Sequence, residues 1–247
     1  MSPADGGMPA MPTGPRGLPG AGYRHFHEQL ATLRQRLLAM GEQAESLVEL
    51  AVEALLEGDA DKAEAVIDGD RALDESELEV EGLAIQLLAL QQPMARDLRF
   101  LVAAIKVSSD LERVGDHAVN IAESVRRLAD APVVVVRAPE LPEMVRCARR
   151  MLGDALDAFT RGDGALGRAV CGADDQVDAL YGATSRFLIS HMTADPRHIP
   201  PALELLLVSR NLERVADLAT NIAEDAVFVA EGKQIRHRAE LEERRAS

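Results

Sequence analysis

The sequence predicts an all-α protein built as two tandem antiparallel three-helix bundles related by an internal duplication, and three observations predict it. Hydrophobic residues make up 47% of the 247-residue chain and aromatics only 3%, the Leu, Ala and Val packing material of helix bundles. Apolar residues recur at helical spacing over long stretches. The segment DLERVGDHAVNIAE, Asp110 to Glu123, returns as NLERVADLATNIAE, Asn211 to Glu224, with ten of fourteen positions identical at an offset of 101.

Residues 1–22 are crowded with Gly, Pro and Met, a composition that buries too little surface to offset the entropy of ordering, so a disordered tail is expected. The first helix runs from Tyr23 to Glu57 through Leu30, Leu33, Leu37, Met40, Leu47 and Leu50, and Gly58 ends it. Asp59 caps a second helix carrying Val66, Leu73, Leu83, Leu87 and Leu88, which stops before Pro93 because the residue ahead of a proline is driven out of helical geometry. A third helix from about Ala95 to Leu128 completes a bundle over 23–131. Residues 132–139 form a linker, inside a short valine run flanked by prolines.

The second bundle, 140–235, repeats the plan, with a fourth helix at Glu140 to Arg161, a fifth at Asp163 to His191 and a sixth at Ile199 to Glu231; a charged tail follows over 236–247. Gly58 and Asp59 answer Gly162 and Asp163, and Asp70 and Asp74 answer Asp174 and Asp178, all at an offset of 104. Beyond the turn at Pro196 to Pro201 the offset is 101, so the second copy lacks three residues there. A deletion in a connection between elements that keep their register is the mark of an internal repeat. The length permits one large core or two modest ones.

Composition also excludes function classes. A formal charge of −14 opposes phosphate-backbone binding, which needs clustered Lys and Arg, so nucleic acid is not a partner. Cys147 and Cys171 stand far apart without CxxC spacing; both read as small core residues in a reducing compartment. With no apolar run near 18 residues and no secretory signal, a cytoplasmic protein is expected that meets membranes only through partners.

The repeated segment carries the candidate chemistry. At roughly 100° per residue, Glu112, Asp116, Asn120 and Glu123 fall within an arc of roughly 80°, and Glu213, Asp217, Asn221 and Glu224 repeat it. Upstream on the same arc lie Leu98, Leu101, Val102 and Ile105, so the acids are expected to turn inward. Asp70 and Asp74 lie about as far from the turn at Pro93 as Asp116 does. They can therefore face Glu112 and Asp116, as Asp174 and Asp178 can face Glu213 and Asp217. Carboxylates so gathered repel and require pairing, protonation or a cation. All-oxygen ligands suit magnesium, calcium, manganese or iron, with zinc possible. Asn120, Glu123, Asn221 and Glu224 are candidates to orient those ligands, with plain interhelical hydrogen bonds the alternative for the two asparagines.

Other constellations fall short. A carboxylate-bridged oxidase needs Glu-x-x-His on two helices, and no such pair occurs. His117 lies outside the acid stripe, and with His191 and His198 reads as structural or solvent-facing. Ser108 and Ser109 lack a His and an orienting acid, and no glycine loop for a nucleotide phosphate is present; no enzyme is expected. Glu45, Glu49, Glu53 and Glu57 also run at i, i+4 spacing without a counterpart and read as a solvated face. The alternative to metal is a metal-free helical scaffold whose acids pair with Arg99, Arg113, Arg210 and Arg214.

QQPMARDLRFLVAAIK (91–106), DLERVGDHAVNIAE and NLERVADLATNIAE together resemble the PhoU family, cytoplasmic regulators of phosphate uptake, over about 23–231. The resemblance implies two tandem three-helix bundles and two carboxylate-rich sites holding iron, zinc, manganese or magnesium. Its E(D)xxxD motifs fall on Asp70 and Asp74, Glu112 and Asp116, Asp174 and Asp178, and Glu213 and Asp217. It further implies a homodimer without catalytic activity that contacts the ATPase subunit of a Pst-type phosphate ABC transporter and a PhoR-type sensor kinase, restraining uptake when phosphate is ample. The turn bearing Arg96, Asp97 and Arg99 is the candidate partner contact; the second half has Pro196 to Pro201 there instead.

Overall fold

Why these segments become helices is visible at their ends and on their buried faces. In the computed structural model, which describes residues 21–91, 93–129 and 138–235, α1 spans Ala21–Glu57. It buries Phe26, Leu30, Leu33, Leu37, Met40, Ala44, Leu47 and Ala51, steps of three and four that place one apolar stripe along the helix. Gly58, at φ +68°, ends it in the left-handed region that glycine enters without penalty. Asp59 then accepts from the amides of Asp61 and Lys62 at 2.9 and 3.1 Å, satisfying two donors at the start of α2 (Ala60–Gln91). α3 spans Ala95–Ala129.

In the second half α4 (Leu141–Arg161) ends at Gly162, φ +64°, and Asp163 caps the next helix through the amides of Ala165 and Leu166, both at 3.0 Å. The single fifth helix expected from sequence is two. α5 covers Gly164–Cys171 and α6 covers Asp174–Ala194, parted where the Ala173 amide turns back to the Val170 carbonyl at 2.9 Å. Gly172, a poor helix former, sits in that break. A 3₁₀ turn, Pro196–His198, leads into α7 (Ile199–Glu231). The tails and the centre of the linker fall outside the described residues.

Consecutive long helices within each half run antiparallel, and the two bundles share one continuous core. α3 of the first half packs against α7 of the second as extensively as α4 does. Arg99 donates to the Val229 carbonyl at 3.5 Å near the end of α7, while Arg127 reaches Glu204 at 3.0 Å near its start, so α3 and α7 run in opposite directions. Between them Lys106 pairs with Asp225 at 3.4 Å, and Asp225 is almost wholly buried. Arg99 also lies against Gly232 at the end of α7, where a cation complements exposed carbonyls. α1 and α4 close the other side, with Gly41 admitting Leu156. No described helix is long and apolar enough to cross a membrane.

Candidate functional site

The first-half cluster is assembled by the α2–α3 pairing. Asp70 is half-buried, and burial, then the charges of Asp74 and Asp116, push its carboxyl above the usual range. Glu112 rises for the same reasons: burial first, then Asp116, Glu77, Asp74 and Asp70. The four predicted acids therefore feel one another across two helices, with Glu77 as a fifth that the repeat did not disclose. One oxygen, Asp70 Oδ1, is shielded from solvent without a hydrogen-bond partner. Gly115 makes this approach possible, since a Cβ there would stand 2.6 Å from that oxygen and 2.5 Å from Leu73 Cδ2.

The second-half cluster joins the start of α6 to the middle of α7. Burial, then Asp217 and Asp178, push Asp174 up to about 6, while the Thr220 hydroxyl pulls the other way. Asp174 Oδ1 is again shielded from solvent, as Asp70 Oδ1 is in the first half. Burial also raises Glu213 and Asp217, but here a guanidinium opposes it. Arg214 Nη1 donates to Asp217 Oδ2 at 2.7 Å, and its Nε lies 3.3 Å from Glu213 Oε2. His117, reaching over from α3, adds a smaller lowering at Asp217.

The inward stripe expected from sequence is shallower than expected. Glu112, Glu213 and Asp217 are half-buried, but Asp74, Asp116 and Asp178 are exposed, and the upstream Leu98 and Val102 are exposed rather than greasy core. The reason is that α3 turns its broad apolar face, Phe100, Leu101, Ala103, Ala104, Val107, Leu111 and Val114, into the shared core, leaving the acid arc at the rim. Asn120 and Glu123 are exposed, and Glu123 pairs with Arg127 at 3.4 Å; Asn221 and Glu224 are half-buried.

Two further readings change. Cys147 is core, but Cys171 is only half-buried; burial and the neighbouring carboxylates Glu224 and Asp174 push its thiol up to about 11. The Glu45 stripe is not simply solvated. Glu49 pairs with Arg149 across the halves, Glu53 and Glu57 hold Lys62, and Glu45 is raised by burial and by Asp157. An open cleft of about 580 Å³ there, lined by Glu45, Glu49, Glu143, Arg146, Arg149 and Arg150, includes none of the eight candidate ligands. His117 Nδ1 meets Asn211 Oδ1 at 2.9 Å across the α3–α7 seam, and His191 stacks on Phe187 with ring centroids 4.1 Å apart. Arg96 is exposed beside Gly162, Asp97 is half-buried and Arg99 is turned to α7.

The donors fit a cation in kind: oxygen ligands from two helices, each cluster with a carboxylate oxygen shielded from solvent. They are not gathered as they stand. Among the described residues no three His, Cys, Asp or Glu side chains are placed to hold an ion, so binding requires rotation of the exposed acids toward the buried ones.

Comparison with known proteins gives the same outline. The PhoU domain model matches twice, at residues 37–125 and 141–226. The phosphate-specific transport system accessory protein PhoU homolog of Caulobacter vibrioides is 40% identical over 212 residues, 86% of this chain and 92% of that one. The homolog from Rhizobium meliloti is 36% identical over 209 residues, 85% and 88% of the two chains. The crystal structure of PhoU from Pseudomonas aeruginosa superposes with a TM-score of 0.80 at 34% identity, covering 84% of this chain and all of that one. The phosphate transport system regulatory protein PhoU from Streptococcus pneumoniae gives 0.78 at 31% identity, covering 85% and 99%. Matched in both halves and over most of its length, the chain belongs to the PhoU family.

Proposed function

We propose that the protein is a cytoplasmic negative regulator without catalytic activity, which restrains phosphate uptake and phosphate-starvation signalling. It would link the ATPase subunit of a Pst-type transporter to a PhoR-type sensor kinase, acting as a homodimer with a carboxylate metal site in each bundle. The observation that carries this reading is the duplicated acid cluster across α2–α3 and α6–α7 in a PhoU-family chain. Relatives at 36–40% identity bear the name of phosphate-specific transport accessory proteins. Asp70, Asp74, Glu112 and Asp116 would hold one ion site, and Asp174, Asp178, Glu213 and Asp217 the other. The bound iron, zinc, manganese or magnesium would neutralise the clustered charge and fix the two helices relative to each other.

The partner face that fits best is the start of α3. Met94, Leu98 and Val102 are exposed there, as is Arg96, and Ala95 holds a left-handed backbone, φ +49°, a strain that functional turns often retain. Co-purification of the transporter ATPase and the kinase with tagged protein, at high and low phosphate, tests the reading. Capture of both that depends on phosphate is the expected result; capture of neither would overturn it. The metal-free scaffold keeps one specific observation in its favour, the Arg214 contacts to Glu213 and Asp217. Chelator should leave a scaffold's melting temperature unchanged and lower that of a metallated protein.

A further inference from the structure

Exposed apolar residues of the two halves match position for position. At the offsets of the repeat, Ile85 answers Ile189, Leu98 answers Ile199 and Val102 answers Leu203. Both members of each pair are open to solvent to nearly the same degree: 51% and 51%, 42% and 44%, 38% and 46%. Single exposed leucines are ordinary. Leu38, Leu56 and Leu78 are of that kind, for their counterparts are Pro142, Thr160 and Gly182. Three apolar pairs that persist where the intervening turn differs, Met94 to Arg99 against Pro196 to Pro201, mark instead a surface that meets something apolar.

These residues line up with the acids of their own half. Eleven residues separate Asp74 from Ile85 and Asp178 from Ile189, and eighteen separate Leu98 from Asp116 and Ile199 from Asp217; at about 100° per residue each such pair falls within about 20° on its helix. Close approach of Gly115 to Asp70 and Leu73 sets the α2–α3 register and brings Ile85 level with Leu98 and Val102. The Thr220 bond to Asp174 likewise sets Ile189 beside Leu203. We propose that each half presents one docking strip for a basic amphipathic helix, and that the protein receives two copies of that helix from a two-fold symmetric partner protein. This rests on the reading of the start of α3 as the partner face, and adds an equivalent face at the start of α7.

Charge and direction select that occupant. Apolar anchors of the helix cover Ile85, Leu98 and Val102, and its Lys or Arg residues meet the exposed Asp74 and Asp116 in a helix-in-groove contact. Leu98 to Asp116 spans about 27 Å of α3, the length of roughly 18 helical residues. α3 and α7 run in opposite directions, so the strips do too, as two helices related by a two-fold axis require. The acids repel both the same strip on a second copy and an anionic lipid surface.

A photo-crosslinking amino acid placed at Ile85 or at Ile189 of the full-length protein in cells tests this, with Leu56 as the control position. Both positions are expected to capture one and the same partner through a basic amphipathic helix, and Leu56 is expected to capture none of it. Val102→Asp and Leu203→Asp, both at exposed side chains, should each weaken binding of that partner by roughly 10²-fold, as loss of one arm of a two-armed contact does, and abolish it together. Unchanged melting temperatures would separate this loss from misfolding. Capture at one position alone, different partners at the two, a shared partner without such a helix, a second copy of this chain, or nothing at either would overturn the proposal. One shared partner that is neither the transporter ATPase nor the sensor kinase would uphold the two strips and overturn the regulatory reading.

Discussion

Asp116 and Asp217 occupy the same place in the repeat, yet one stands in solvent and the other is half-buried against an arginine. On the α2 side the difference runs the other way along the chain. Asp70 lies within an unbroken helix, whereas Asp174 opens α6 directly after a break that also brings Cys171 to the cluster. Gly115 lets the first-half helices approach, where the second half has Ala216. A duplicated motif thus preserves which acids are present and not how deep they lie or what neutralises them. Depth is set by the seam between the halves, and that seam is not symmetric in its side chains: Lys106 meets Asp225, while the residue equivalent to Asp225 is Ser124.

The largest expected effect comes from breaking that seam. Asp225→Ala leaves Lys106 facing a nearly buried vacancy and should destabilise by about 2–3 kcal/mol, less than a fully buried pair because Lys106 is partly exposed. Ser124→Ala, the equivalent change in the other half, should cost under about 1.5 kcal/mol, as loss of a hydrogen bond from Arg127 does. Urea denaturation of both variants checks the pair.

Next, Gly115→Ala should destabilise by about 2 kcal/mol, since the new methyl meets Leu73 and Asp70 below any normal contact distance. The same measurement on Ala216→Gly should show the helix-propensity loss of about 1 kcal/mol plus that of one buried methyl. A Gly115→Ala variant as stable as wild type would mean that the first-half helices do not need the glycine.

A pH effect on the order of 1 kcal/mol separates the clusters in metal-free protein, after allowance for the exposure of the carboxyl. Folded Asp174 holds its proton to about pH 6, whereas its ordinary value is 3.8. Between those values the folded state binds more protons, so stability falls as pH rises through the window and the gain is complete below it. Asp174→Asn should remove that part of the pH dependence, read as the difference in denaturation midpoint between pH 7.5 and pH 4. Smallest of all, Ala95→Gly should stabilise by about 0.5–1 kcal/mol by relieving the left-handed residue at the start of α3. Thermal melts resolve it, and no gain would show that the turn is unstrained.

Much of this was legible beforehand. Helix starts and stops at Gly58, Asp59, Gly162 and Asp163 carry their own chemistry, so α1, α4 and their neighbours fall where the sequence places them. Proximity of Asp70 and Asp74 to Glu112 and Asp116 followed from helix length and an antiparallel turn. The break at Gly172 was not legible because an isolated glycine inside a helical pattern has several outcomes, and neighbouring Asp174 reads equally well in mid-helix. The shallow acids were missed because α3 has a second use for its apolar residues. Ala103, Ala104, Ala118 and Ala122 are fully buried, but alanine is also the best helix former on a solvated face, so its burial has no sequence signature. Cys171 and Thr220 have no counterparts among the first-half motif residues, and only the fold brings them to the cluster.

Elemental analysis of protein purified without chelator tests the central claim most directly. Glu112→Ala with Asp116→Ala should lower bound metal by the first-half share, and Glu213→Ala with Asp217→Ala by the second-half share. Metal content equal to wild type in both double variants would contradict the account of these clusters as cation sites.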